Sequence, residues 1–94
     1  MIRLTGTLTC PTPEDIALVK RHLPEHIRLT RAEPGCLSFE VSARADAPSL
    51  YDVSELFRDE AAFDAHQTRT RASDWFHATA HLPRDFTRSV TDDT

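Results

Sequence analysis

Tyr51-Asp52-Val53-Ser54-Glu55-Leu56-Phe57, followed by Asp59-Glu60-Ala61-Ala62-Phe63-Asp64-Ala65-His66-Gln67, is the stretch that decides the fold. Its first part alternates with period two, which predicts a strand with Glu55 among apolar neighbours on one face. Its second part has helical spacing and places His66 on the helix that follows. A half-buried carboxylate needs a partner, and His66 is the natural candidate. Carboxylate, imidazole and nearby aromatic rings would form a pocket capable of proton transfer.

The composition indicates one small domain. A chain of 94 residues builds a marginal core by itself, so a partner chain that covers more apolar surface is expected. The net charge of −4 and the lack of a basic block argue against nucleic acid and anionic membranes as partners. No apolar run has the length of a membrane span, and the N-terminus lacks a signal-peptide core, so we expect a cytoplasmic protein.

The remaining pattern predicts four strands and two helices. We expect strands over 2–9, 37–43, 50–57 and 86–90, a first helix capped by Thr12, a second helix from Asp59 to about His81, and a loose tail over 91–94. Pro24 should kink or restart the first helix because proline removes a backbone hydrogen bond. The order βαββαβ predicts a single α+β domain over residues 1–94 with the ferredoxin-like arrangement, in which both helices cover one face of an antiparallel sheet.

The uncovered sheet face predicts self-association. Neither set of alternate side chains is strongly polar, and Leu50 and Leu56 lie opposite the Tyr51 face. A sheet that is apolar on both sides must cover the second side, and a copy of itself is the simplest cover. We therefore expect a homodimer.

Two motifs resemble the antibiotic biosynthesis monooxygenase family: Glu33-Pro34-Gly35-Cys36-Leu37-Ser38-Phe39-Glu40-Val41, and Glu55 to Gln67 with Phe57, Asp59, Ala62, Phe63 and His66 at matching spacing. The resemblance spans nearly the whole chain. It implies a dimeric α+β barrel of ferredoxin-like subunits. It also implies oxidation of a small electron-rich aromatic (a quinol, anthrone or polyphenol) by O2 without flavin, haem or metal.

The resemblance also implies an Asn in the pocket of several oxygenating relatives and in the haem-degrading branch. This chain contains no Asn, and its first strand offers only Thr5, Thr7 and Thr9 at that place. The difference argues against haem degradation. It also favours an alternative function, a non-catalytic dimeric protein that binds a small aromatic ligand in the same pocket. A third hypothesis is an isomerase or lyase that uses His66 for proton transfer without oxygen.

His66 and Glu55 are the candidate catalytic residues. Unperturbed imidazole titrates near pH 6.5, so His66 suits a base that deprotonates a phenol. Glu55 would orient the ring and raise its basicity, as the carboxylate of a catalytic triad does. The alternative is a structural hydrogen bond between strand and helix, and both can hold at once.

The candidate substrate-binding residues are mainly aromatic: Tyr51, Phe39, Phe57, Phe63, Trp75 and Arg88. The aromatic residues equally fit a hydrophobic core. On a straight helix Trp75 would point about 180° away from His66, so either it reaches the partner subunit or the helix bends near Ala72-Ser73. Arg88 is singled out because it interrupts an apolar strand face.

No cofactor is expected. Gly6 and Gly35 are the only glycines, which leaves no dinucleotide-binding glycine loop. The histidine pairs His22/His26 and His77/His81 have helical spacing, but neither has a third ligand at an evident spacing. We therefore expect no metal site and interpret both pairs as solvated.

Overall fold

The computed structural model describes residues 1–91, and over that range the chain folds into one antiparallel sheet covered by helices. The elements are β1 (Ile2–Thr9), α1 (Pro13–Arg31), β2 (Cys36–Ala43), β3 (Leu50–Phe57), α2 (Glu60–Arg71), α3 (Asp74–Thr79) and β4 (Arg84–Val90). The strand order is β2-β3-β1-β4, with every neighbouring pair antiparallel. The predicted ferredoxin-like α+β fold is confirmed. Of the predicted tail, only Thr91 is described; 92–94 lie outside the described residues.

The first helix begins as predicted but does not restart at proline. Thr12 caps it by accepting a hydrogen bond from the Asp15 backbone N–H (3.2 Å). The helix then continues through Pro24 to Arg31, so of the two predicted alternatives, a kink or a restart, the restart does not occur and the kink stays a prediction. Pro24 is exposed, while Leu23 and His26 on either side of it are buried. Packing on both sides of the proline holds the helix together despite the lost backbone hydrogen bond.

The second helical segment breaks at Ala72-Ser73, where the sequence analysis gave a bend as one of two alternatives. The prediction of one helix to about His81 is wrong, because α2 ends at Arg71 and α3 starts at Asp74. Ser73 causes the break: its hydroxyl donates to the Thr70 carbonyl (2.6 Å) and accepts from the Phe76 backbone N–H (3.2 Å). A serine that bonds the backbone on both sides ends one helix and caps the next. The change of direction leaves Trp75 buried against α1.

The sheet has one apolar face and one polar face. The register aligns Ile2, Leu4 and Leu8 of β1 with Phe57, Glu55 and Tyr51 of β3, and these side chains are buried under the helices. The opposite face is formed mainly by polar residues: Arg3, Thr5, Thr7, Thr9, Ser38, Glu40, Ser42, Asp52, Ser54, Asp85, Thr87 and Ser89. Leu50 and Leu56 are its apolar members. The prediction of an apolar second face is therefore wrong.

A bulge shifts the start of β2. The register slips between Cys36 and Ser38, and Leu37 is 48% exposed. Leu37 and Phe39 are two positions apart, so regular alternation would place both side chains on one face. The extra residue of the bulge is the reason that Leu37 does not lie there.

Gly35 brings α2 close to the start of β2. A Cβ atom added at Gly35 would lie 2.2 Å from the Ala62 Cβ, so only glycine permits this approach. The approach places the His66 helix beside the end of α1, where Glu33 lies. None of the helices within residues 1–91 is long and apolar enough to cross a membrane.

Candidate active site

A cavity of about 240 Å³ lies between the sheet and the helices. It is lined by Leu4, Leu8, His26, Phe39, Val41, Val53, Glu55, His66, Gln67, Thr70, Arg71, Trp75, Phe76, Arg84 and Phe86. Its volume falls just below the roughly 300–1,000 Å³ of drug-sized ligand sites. It therefore suits a ligand of one or two rings. Most of the lining surface is apolar, although seven of the fifteen residues are polar or charged.

His66 lies at the centre of the polar groups. Its side chain is 3% exposed, and its Nδ1 lies 2.9 Å from Glu33 Oε1. Its Nε2 lies 3.3 Å from the Thr70 hydroxyl and 3.7 Å from Glu55 Oε1. With Glu33 as a carboxylate, we assign the proton to Nδ1, which donates to Glu33 and leaves the Nε2 lone pair as the acceptor. Nε2 is then the nitrogen that can take a proton from a ligand.

Glu33, rather than Glu55, orients the imidazole. Glu33 also accepts a hydrogen bond from Arg69 Nε, and Arg69 Nη2 donates to the Thr30 hydroxyl (2.9 Å). Glu33 is therefore anchored from two sides. Sequence reasoning missed this role because Glu33 and His66 are 33 residues apart. The available signal was its place in the family motif, directly before Pro34-Gly35.

Glu55 and His66 are neighbours without a hydrogen bond. The 3.7 Å separation is too long for one, and Glu55 Oε1 has no hydrogen-bond partner among residues 1–91. The predicted hydrogen bond is therefore wrong, although both side chains are buried side by side as expected. Burial, and then the Glu33 charge, raises the pKa of Glu55 to about 7. The carboxyl group is poised to exchange a proton near neutral pH.

Burial lowers the pKa of His66 below its ordinary value. The Arg69 charge acts in the same direction, while the Glu33 carboxylate opposes both. His66 is consequently neutral at pH 7 and able to accept a proton. The site thus combines an oriented imidazole and a buried carboxyl group within one apolar cavity.

His26 is a cavity residue that the sequence interpretation placed in solvent. It is 5% exposed, it stacks on Trp75 (ring centroids 5.0 Å, 9° between planes), and its ring lies 6.0 Å from that of His66. Burial, and then the charges of His66, Arg69 and Arg84, lowers its pKa to about 3. Its Nδ1 has no hydrogen-bond partner within the described range. The missed signal was the helical stripe of buried residues Asp15, Val19, Leu23, His26 and Thr30.

The predicted substrate-binding residues divide into two groups. Phe39 and Trp75 line the cavity, and the helix break explains how Trp75 and His66 face the same space. Tyr51, Phe57 and Phe63 are packed in the core. Arg88 pairs with Glu60 (2.6 Å) and lies 4.9 Å from the centre of the Phe63 ring. Among the described residues, the cavity lining does not include Tyr51, Phe57, Phe63 or Arg88. A substrate contact by any of these four stays a prediction.

The threonines of β1 do not take the place of a pocket Asn. The register puts Thr5 and Thr7 on the polar face with Ser54 and Asp52, away from the helices. On the cavity side of β1 the chain offers Leu4 and Leu8. The described cavity therefore has no side-chain amide except that of Gln67.

Within residues 1–91, no group of three His, Cys, Asp or Glu side chains is arranged to hold a metal ion. Of the histidine pairs that were interpreted as solvated, His77 and His81 are exposed as predicted, whereas His26 is buried. His26 stacks on Trp75, and His81 Nε2 lies 2.8 Å from Asp15 Oδ1.

Comparison with known proteins identifies the family. The sequence profile described as antibiotic biosynthesis monooxygenase matches residues 1–78. The chain belongs to this family. A search of curated proteins finds no match.

Solved structures agree with this assignment. A structure described as an antibiotic biosynthesis monooxygenase is 26% identical, with a TM-score of 0.72, over 100% of this chain and 99% of that one. A candidate antibiotic biosynthesis monooxygenase from Deinococcus radiodurans is 23% identical (TM-score 0.80, 100% and 95% coverage). A protein from Mycobacterium tuberculosis is 24% identical (TM-score 0.73, 100% and 98% coverage). The last two likenesses show the fold alone.

Proposed function

We propose that this protein is a cofactor-independent monooxygenase that oxidises a small electron-rich aromatic compound, such as a quinol, with O2. The observation that carries the proposal is the arrangement around His66. Glu33 holds Nδ1 at 2.9 Å, and the basic Nε2 lies beside Glu55 (3.7 Å) in an apolar cavity. An oriented base in a dry site is what deprotonation of a phenol requires.

The chemistry needs only a proton acceptor and oxygen. His66 Nε2 takes the phenolic proton, and the phenolate transfers one electron to O2. The resulting radical and superoxide combine at a ring carbon that carries hydrogen, and the peroxide takes the proton back from His66. Loss of that C–H proton and cleavage of the O–O bond then release water and leave a new carbonyl. One oxygen atom enters the quinone product, the other leaves as water, and the substrate supplies both electrons.

A binding protein for a small aromatic ligand is the second candidate. The observation that favours it is the cavity side of β1, which presents Leu4 and Leu8 in a chain without Asn. Such a protein would bind its ligand in the same cavity, in contact with the Trp75 ring, without turnover.

Oxygen uptake with a panel of hydroquinones tests the proposal. We expect His66→Ala to lower turnover by about 10²–10⁴, the usual contribution of a positioned general base. High pH should partly restore the rate because the phenol then ionises without help. The exposed residue His77 provides the control: His77→Ala should retain the wild-type rate.

Two outcomes contradict the proposal. An unchanged rate in His66→Ala would mean that the base lies elsewhere. Saturable binding of hydroquinones to the wild-type protein with no oxygen uptake would instead establish the binding protein.

A further inference from the structure

Arg84 lines the cavity without an acidic partner. Arg84 is one of the residues that line the cavity. Within residues 1–91 its guanidinium forms no ion pair with a carboxylate, whereas Arg69 pairs with Glu33 and Arg88 with Glu60. Burial lowers the pKa of Arg84, but a guanidinium keeps its charge in proteins. Arg84 is therefore a half-buried positive charge in the cavity lining that pairs with no carboxylate among residues 1–91.

The hydrogen bonds of Arg84 leave one edge of the guanidinium unused. Nη1 donates to the carbonyls of Thr79 (2.7 Å) and Leu82 (3.2 Å), and Nη2 donates to the Thr79 hydroxyl (2.8 Å). A guanidinium has five N–H donors. Nε–H has no hydrogen-bond partner among residues 1–91 and shares one edge of the guanidinium plane with an N–H of Nη2.

Two other arginines of this protein bind carboxylates through this Nε/Nη2 edge. Arg28 binds Glu25 through Nε (2.7 Å) and Nη2 (2.6 Å). Arg44 binds Asp52 through the same two nitrogens (3.0 and 2.8 Å). Two parallel N–H groups match the two oxygens of a carboxylate, and the Thr79 and Leu82 contacts hold the Arg84 plane in place for such a pair.

Glu55 and Arg84 lie at different levels of the cavity. In the sheet register Glu55 is level with Leu4 of β1, whereas Arg84 is level with Leu8. Four residues along a strand correspond to about 13 Å between backbone positions. A carboxylate near Arg84 would therefore be kept apart from the buried Glu55 carboxyl group.

We propose that Arg84 determines specificity for aromatic ligands that carry a carboxylate. The acid group pairs with the unused Nε/Nη2 edge, and the ring lies in the apolar middle of the cavity toward His66. This inference takes the aromatic nature of the ligand from the proposed function. Recognition of the carboxylate itself requires no turnover.

A pair of ligands that cannot be oxidised in this way tests the proposal by calorimetric titration at pH 7.5. The acid 2-naphthoate and the neutral naphthalene-2-carboxamide have nearly the same shape and differ in charge. We expect the wild-type protein to bind the acid roughly 10- to 100-fold more tightly, as for a bidentate bond between charged groups. Arg84→Gln should remove this preference, and Arg84→Lys, which keeps the charge without the two-donor edge, should retain only part of it.

The control is Arg28→Gln, which makes the same change of charge at an exposed position of α1 and should keep the full preference. Equal binding of acid and amide by the wild-type protein, or failure of the acid to bind at all, would overturn the proposal. A preference that survives in Arg84→Gln would also overturn it. If Arg84→Gln does not fold, because its bonds to Thr79 and Leu82 are lost, the wild-type ligand pair and Arg84→Lys still decide the question.

Oxygen uptake separates this proposal from the proposed function. Comparison of 2,5-dihydroxybenzoate with its carboxamide should show a lower KM for the acid. Tight binding of acids without any oxygen uptake would contradict the monooxygenase and leave the Arg84 site standing. Equal turnover of acid and amide would contradict the Arg84 site alone.

Discussion

At the residue scale, the polar groups under the sheet are a set of perturbed acids and bases. His66 is held by Glu33, Glu55 is buried beside it, and His26 is stacked on Trp75. Each was placed in an apolar environment where its charged form is costly. The carboxyl group therefore lowers the stability of the folded protein as pH rises, whereas the imidazoles lower it as pH falls.

Glu55→Gln should make stability less dependent on pH. The pKa of Glu55 is raised to about 7 from its ordinary 4.5, so the folded state holds a proton that the unfolded state releases. Stability is therefore full below pH 4.5 and falls as pH rises through 7, by up to about 3 kcal/mol. Glutamine does not titrate, so the variant should gain stability relative to wild type between pH 5 and pH 8.

Urea unfolding at pH 5 and pH 8 measures this difference. The exposed residue Glu14 provides the control, and Glu14→Gln should change stability equally at both values. If Glu55→Gln changes the free energy of unfolding equally at pH 5 and pH 8, Glu55 is already ionised at pH 5 in the folded protein. The same variant also tests which residue is the base. If Glu55 rather than His66 is the base, the rate of oxygen uptake by the wild-type protein should fall below about pH 7, and this fall should be absent in Glu55→Gln.

His26→Phe should protect the protein against acid. The pKa of His26 is lowered to about 3, so below pH 6.5 the unfolded state takes up a proton that the folded state refuses. Wild-type stability should consequently fall as pH drops from 6.5 toward 3, by roughly 3–5 kcal/mol at the lower end. Phenylalanine keeps the stack on Trp75 and removes the unpartnered Nδ1.

Unfolding of both proteins at pH 7 and pH 4 checks this expectation. The phenylalanine variant should lose less stability than wild type over that interval. His77→Phe, at an exposed position of α3, should follow the wild-type curve. Parallel curves for His26→Phe and wild type would mean that His26 is protonated in the folded protein at pH 4.

At the element scale, two local features position the site. The Ser73 cap separates α2 from α3 and turns Trp75 toward His26. The Gly35 approach to Ala62 brings α2 against the end of α1, which sets the distance between Glu33 and His66. The Ser73 hydroxyl and the missing side chain at Gly35 therefore set the positions of α3 and α2.

Pro24→Ala should stabilise the protein. Pro24 is exposed inside α1 and lacks the N–H that would bond the preceding turn. Alanine restores the donor and has the highest helix propensity, so we expect a gain of about 1–3 kcal/mol, seen as a higher Tm. Glu25→Ala at the neighbouring exposed position should change stability by less than about 1 kcal/mol. A lower Tm in Pro24→Ala would show that the proline ring contributes contacts that outweigh the missing hydrogen bond.

At the scale of the whole molecule, we expect a homodimer. The sheet has helices on one face only, and the family resemblance implies a dimeric barrel. The open face carries Leu50 and Leu56 among polar side chains, so polar contacts should contribute more of the interface than the sequence pattern indicated. An obligate dimer of this kind should bury upwards of about 2,000 Å².

Light scattering at micromolar concentration measures the mass. The wild-type protein should have twice the mass of one chain, and Leu56→Lys on the open face should favour the monomer. Lys20→Ala, on an exposed part of α1, should leave the mass unchanged. A wild-type mass equal to one chain would contradict the expected dimer.

The sequence by itself determined the four strands, the starts of α1 and α2 and the order of these elements, but not the break that makes α3 a separate helix. Period-two alternation in β1 and β3, the Thr12 and Asp59 caps and the two family motifs were enough to predict the ferredoxin-like fold and to select His66 and Glu55. These signals are local: alternation, capping and helical spacing involve residues within a few positions of one another. The motif that contains Glu33 was also visible, without the role of that residue.

Only the tertiary structure decided how the selected residues act. Glu33 reaches His66 across 33 residues, His26 is buried because α3 covers it, and Arg84 lines the cavity because β4 returns beside β1. Pairing, burial and pKa depend on which elements meet in space, and no spacing along the chain encodes them. The polar open face likewise became evident only from the register, since a bulge at Leu37 and the pairing of the strands determine which side chains share a face.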